Sequence, residues 1–265
     1  MADFKTHIST SSVLGFAYAG VGHVLFHAPL SSSILAGGLC AVSGMLPDID
    51  SDSGIPKRES LTFAAAVVPM MLIGHMQRAG CDSETIVLVG ATIYLAIRFL
   101  GGHLLSRFTV HRGMFHSIPA AACFGQAAFL LASGPLSIRL FKASAVLMGY
   151  LSHLLLDEFY SIDTSRGRVR LRKSFGTGLK MFSKNIFATA VAYLTCIFLA
   201  LTIVQEPRLM AHLDALGNAA GTKIDASLER LEQHRDKTTS APSETDAPAL
   251  PQIDDTDVVP IRLPR

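Results

Sequence analysis

The sequence predicts an all-α protein, a polytopic transmembrane helical bundle of about six or seven spans, followed by an amphipathic helix and a disordered C-terminal tail. Three observations carry that expectation. Apolar residues make up 49% of the 265-residue chain and charged residues only 17%, against about 25% charged in an ordinary soluble domain. Seven apolar segments follow one another, roughly 13–28, 33–46, 61–77, 85–101, 117–133, 143–157 and 186–204. If all seven span, twelve Lys and Arg fall in the N-terminus and the loops 47–60, 102–116 and 158–185, and only Arg78, Arg139 and Lys142 in the opposite loops. The positive-inside rule then places the basic side in the cytoplasm.

Taken in order, the first segment follows a polar Ser/Thr run with Asp3 and Lys5 ahead of it, which is not the pattern of a cleavable signal. It is expected to serve as its own insertion signal. The second segment ends at Pro47, which stops a helix. The middle segments carry Gly, Pro or His, so their polar interruptions are expected to face the bundle interior. The last, Ile186–Val204, has nineteen residues without a charge, close to the ~20 needed to cross a bilayer. Residues 205–237 place Leu209, Leu213, Leu216, Ile224, Leu228 and Leu231 at three- and four-residue steps among charges, an amphipathic helix that would lie on membrane lipids or associate with its own copy. From 238 to 265 the chain is too polar to build a core and is expected to be disordered. The expected division is therefore 1–204 in the membrane, 205–237 helical and 238–265 tail.

Composition also excludes classes. A net charge of +2, without a basic stripe interleaved with aromatics, gives no reason to expect a nucleic-acid partner. The four cysteines, Cys40, Cys81, Cys123 and Cys196, are scattered singly, so neither a thiolate metal ribbon nor a disulfide framework is suggested.

The residues able to do chemistry gather on one side of this topology. Asp48 and Asp50 follow Pro47, and in an extended piece their i, i+2 spacing points both carboxylates the same way. His111-Arg112-Gly113-Met114-Phe115-His116-Ser117 lies between two apolar segments, with Gly113 permitting a turn that brings both imidazoles to one ion. Arg112 suits a phosphate or carboxylate through its bidentate fork, and Ser117 suits a helix cap. His153 and Asp157 are an i, i+4 pair on one helix face. With His7 these give a candidate metal set of His7, Asp48, Asp50, His111, His116, His153 and Asp157. Nitrogen and oxygen donors without a thiolate suit zinc as one or two ions, or a two-metal centre of Mn or Fe. Arg112 and Asp157 are the candidate catalytic residues, and Glu158 and Asp163 are further sources of a general base. Each pair also has a plainer reading, an acidic helix end for Asp48 and Asp50 and a mutually bonded pair for His153 and Asp157.

These residues carry a resemblance. Thr6-His7, Pro47-Asp48-Ile49-Asp50, the His111–Ser117 stretch and Gly149-Tyr150-Leu151-Ser152-His153-Leu154-Leu155-Leu156-Asp157 together resemble the YdjM-type family of bacterial inner-membrane proteins, described as metal-dependent hydrolases and also labelled LexA-binding. The resemblance spans about residues 1–185. It implies a multi-pass protein of the bacterial cytoplasmic membrane, metal-assisted hydrolysis, and the matching His and Asp residues as ligands. The LexA label concerns regulation of related proteins and implies no binding activity here. After Asp157 this chain reads Glu158-Phe159-Tyr160-Ser161-Ile162-Asp163 and then a basic run, departing from the shorter Asp-x-x-Thr ending associated with the family. The leading expectation is thus a membrane-bound metal-dependent hydrolase acting at the cytoplasmic face on a phosphoester or lipid-related substrate. The alternative is a transporter or scaffold whose His/Asp clusters form an ion path or a structural metal site.

Overall fold

The structure is a computed structural model and describes residues 3–50, 54–103, 115–163, 170–171, 180–182 and 185–239. It is an all-α bundle: α1 (Phe4–Val24), α2 (Leu30–Ser43), a 3-10 turn (Leu46–Asp50), α3 (Ile55–Arg78), α4 (Ser83–Leu95, running on as a π-helical turn to Gly101), α5 (Ile118–Leu131), α6 (Leu136–Tyr160), α7 (Ile186–Val204) and α8 (Pro207–Thr239). A two-residue antiparallel pair, Ile162–Asp163 with Arg170–Leu171, follows α6. Among the described residues, three helices are long and apolar enough to cross a membrane, at Ile55–Arg78, Ser83–Gly101 and Ile186–Val204, and α2 and α5 are apolar but shorter. Phe16 is 86% and Ile186 83% exposed, an outward apolar surface that suits lipid rather than water.

Several boundaries differ from the sequence reading, and each has a local cause. Helix α1 begins at Phe4, not residue 13, because the Asp3 side chain accepts from the Thr6 backbone N–H and caps it. The polar run is then absorbed by the fold, with Ser11 buried and donating to the Ala41 carbonyl at 2.7 Å. Pro47 stands inside a 3-10 turn, so Asp48 and Asp50 do not share the extended backbone that would aim them the same way. Helix α6 begins at Leu136, which takes Arg139 and Lys142 out of the loop and into its first turns.

Small residues set the packing at the centre. A Cβ at Gly37 would sit 2.6 Å from the Gly15 carbonyl, and one at Gly149 would collide with the Cys40 carbonyl. These positions let α1 and α6 approach α2 backbone to backbone, as small residues do between membrane helices. Around them Ala36, Cys40 and Ala145 form one core cluster, and Leu39, Met71, Ala128, Ala132 and Val146 another. Tyr150, on α6, is fully buried and donates to the Phe115 carbonyl, which fixes the chain just before α5.

The chain divides into two units between Met210 and Ala211, inside α8. Helix α8 is continuous over the amphipathic stretch, with Leu213, Leu216, Ile224, Leu228 and Leu231 each about half exposed or more. The tail from 240 lies outside the described residues.

Candidate metal centre

Four elements of the bundle meet at one end, and each delivers a titratable side chain. His7 comes from the second turn of α1, Asp48 from the 3-10 turn after α2, His116 from the residue before the Ser117 cap of α5, and His153 and Asp157 from the last turns of α6. Ser117 does cap its helix, accepting from the Ala120 backbone N–H at 3.3 Å, and the Ile118 N–H donates to the Lys180 carbonyl at 3.1 Å. His7, His116, His153 and Asp157 are all buried, while the Asp48 side chain is 26% exposed and marks the open side.

The functional atoms converge. His116 Nε2 lies 3.2 Å from Asp48 Oδ1 and 3.8 Å from Asp157 Oδ2, and His7 Nε2 lies 3.3 Å from Asp157 Oδ1. His153 Nε2 is 3.8 Å from both Asp48 Oδ1 and Asp157 Oδ2. The His7 and His153 rings stack at 3.7 Å, and His116 meets His153 edge-on at 5.4 Å. Two triads result, His7–Asp48–His153 and His116–His153–Asp157, each with its donor atoms within 4.8 Å of one another. Ligands of one tetrahedral ion at 2.0–2.1 Å stand about 3.3 Å apart, so the 3.2–3.8 Å spacings fit such a shell slightly expanded.

The hydrogen bonding says which way the lone pairs face. His153 Nδ1 is 2.6 Å from the Gly44 carbonyl, which can only accept, so Nδ1 carries the proton and Nε2 presents a lone pair. That lone pair faces two carboxylates, an arrangement that repels unless a cation or proton lies between. His7 Nδ1, both His116 ring nitrogens, His153 Nε2 and Asp157 Oδ1 are buried without hydrogen-bond partners. At about 1–3 kcal/mol for each such atom, the total rivals the ~5–15 kcal/mol net stability of a whole domain. A divalent cation bound there would take one nitrogen of an imidazole and an oxygen of a carboxylate, and the donor chemistry of either triad fits one, with the Gly44 carbonyl orienting His153 from behind. At Asp48, burial opposes the charge, but the His116 imidazole 3.2 Å away and the neighbouring His153 and His7 rings outweigh it and hold the carboxyl below its ordinary value.

The remaining sequence candidates separate. His111 and Arg112 lie outside the described residues, and Asp50 is placed only as backbone within the 3-10 turn. Asp163 is placed in the short β pair. His23 is exposed and bonded to the Ala28 carbonyl at 2.9 Å, away from the cluster. Sequence reasoning missed the Gly44 carbonyl as the partner of His153. The signal available was Gly44 itself, four residues before Asp48 at the end of α2.

Fold and site together define a class, a helical membrane protein with a buried His/Asp cluster at one end of its bundle. The YdjM inner membrane protein family matches residues 1–212, and the chain belongs to that family of bacterial inner-membrane proteins. No curated protein and no solved structure matches the chain.

Proposed function

We propose that this chain is a membrane-bound, metal-dependent hydrolase whose site opens at the cytoplasmic face of the bilayer and takes a phosphoester, such as a lipid headgroup. The observation that carries the reading is the convergence of buried, unpartnered imidazole nitrogens and carboxylate oxygens from four separate elements. His7, His116, His153, Asp48 and Asp157 would hold the ion, zinc or a Mn or Fe pair, with Asp50 and His111 as sequence-derived additions. A divalent ion held there supplies Lewis acidity, which makes hydrolysis accessible near neutral pH. Asp157, with Oδ2 toward His116 and His153 and Oδ1 toward His7, would take up a proton at Oδ1 during turnover. Arg112 would bind the anionic group of the substrate through its guanidinium fork. The partly exposed Asp48 side gives the direction of entry.

The test is hydrolysis of a panel of phosphomonoesters and phosphodiesters by detergent-purified protein in mixed micelles. The reading expects activity that chelation abolishes, zinc or manganese restores, and Asp157→Asn lowers at least a hundredfold. If Asp157→Asn turns over at the parent rate, or no ester is cleaved by metal-loaded protein, the assignment is wrong.

A further inference from the structure

At the other end of the bundle, a cavity of about 190 Å³ opens between α2, α3 and the α5–α6 turn. Leu35, Val67, Met70, Met71 and Ala132 line it, with Ser133 and Lys142 as its polar members. Pro69, inside α3, cannot donate to the preceding turn, so the helix wall beside Met70 and Met71 is locally short of a hydrogen bond. Met70 is 67% exposed, so the cavity has an exposed rim. Lys142 is half-buried, and among the described residues no carboxylate pairs with its ammonium. Nearby Arg139 differs, because Glu206 neutralises it.

An apolar cleft with one unpaired cation at its edge has the chemistry of an amphiphile site. We propose that this cavity binds a phospholipid of net negative charge, its acyl chain against Met70, Met71 and Val67 and its phosphate on Lys142. Two arguments choose this occupant. Charge complementarity favours an anion, because Lys142 brings a half-buried ammonium to the cavity and no carboxylate among the described residues pairs with it. The apolar lining would leave a free inorganic anion poorly solvated, whereas an acyl chain fills it, and methionines adapt to such a chain. The site is separate from the His/Asp cluster: Lys142 and Asp157 lie on the same helix, about 22 Å apart along its axis.

Native mass spectrometry of the detergent-purified full chain, titrated with phosphatidylglycerol, phosphatidylcholine or inorganic phosphate, tests this. The parent should retain one phosphatidylglycerol in preference to phosphatidylcholine. Lys142→Gln should weaken that binding about fivefold, the contribution of one basic residue facing anionic lipid, and Lys142→Arg should keep it. Metal content should be the same in all three proteins, which separates this site from the catalytic reading. Equal binding of the two lipids, an unchanged Lys142→Gln variant, or retention of inorganic phosphate alone would overturn the proposal.

Discussion

Among the described residues, the bundle buries charged side chains and histidines in two places, and they are opposite in kind. Near the start of α6, Arg139 forms a two-pronged pair with Glu206, including a 2.6 Å bond from Nη2 to Oε2, donates from Nε to the Phe129 carbonyl at 3.3 Å, and lies 4.1 Å above the Phe129 ring. Three of the five N–H donors and one face of that guanidinium have partners. At the other end of the same helix, His153 and Asp157 join His7, His116 and Asp48 in a cluster whose ring nitrogens and carboxylate oxygens crowd together, several of them without a hydrogen-bond partner. The first cluster is paired within the chain, and the second leaves buried polar atoms without hydrogen-bond partners. The two clusters therefore differ in what remains unsatisfied, not in how deeply they are buried.

That contrast can be broken most forcefully at the closed cluster. Arg139→Ala leaves Glu206 without its partner and should cost about 3 kcal/mol, the low end for a broken buried pair because Glu206 is partly exposed. Chemical denaturation in detergent reads that loss, and the metal content should not change. Gly149→Ala comes next. Its Cβ has no room against the Cys40 carbonyl, so α2 and α6 must separate, at about 1–3 kcal/mol. Unlike Arg139→Ala, it should also weaken metal binding, since the same helix contact holds Gly44 against His153.

The open cluster should lose less. Asp157→Asn removes a carboxylate that lies 3.3 Å from His7 Nε2 and 3.8 Å from the Nε2 atoms of His116 and His153, so the metal-free variant should be less stable than the metal-free parent by about 1 kcal/mol. A thermal melt of both proteins in chelator would show it, and a variant as stable as the parent would mean that the carboxylate gains nothing from those imidazoles without a metal. The smallest effect belongs to Tyr150→Phe. Losing the bond to the Phe115 carbonyl should cost about 1 kcal/mol and lower metal affinity slightly by loosening His116.

Much of this arrangement was legible in the sequence because membrane helices are written in long apolar runs. Each of the seven apolar segments corresponds to one of the helices α1 to α7, and alternating through them puts His7, Asp48, His116, His153 and Asp157 at one end. The His153–Asp157 spacing and the Ser117 cap are local features, and local features read well. Boundaries that depend on tertiary satisfaction did not. Helix α1 starts at its local Asp3 cap, but the polar run it absorbs is accommodated because Ser11 finds a carbonyl on α2, a partner thirty residues away. Arg139 looked like a loop charge because its partner, Glu206, is sixty-seven residues further on. The stacking of His7 on His153 joins α1 to α6, elements far apart in the sequence, which no periodicity announces.

The most direct test of the account is the metal content of the detergent-purified chain, measured by elemental analysis for the parent, His153→Ala, Asp48→Asn and Arg139→Ala. The account predicts one or two equivalents of zinc, manganese or iron in the parent and in Arg139→Ala, with little or none in His153→Ala and Asp48→Asn. A parent that holds no metal and takes up none on addition, or ligand variants that hold as much as the parent, would contradict it.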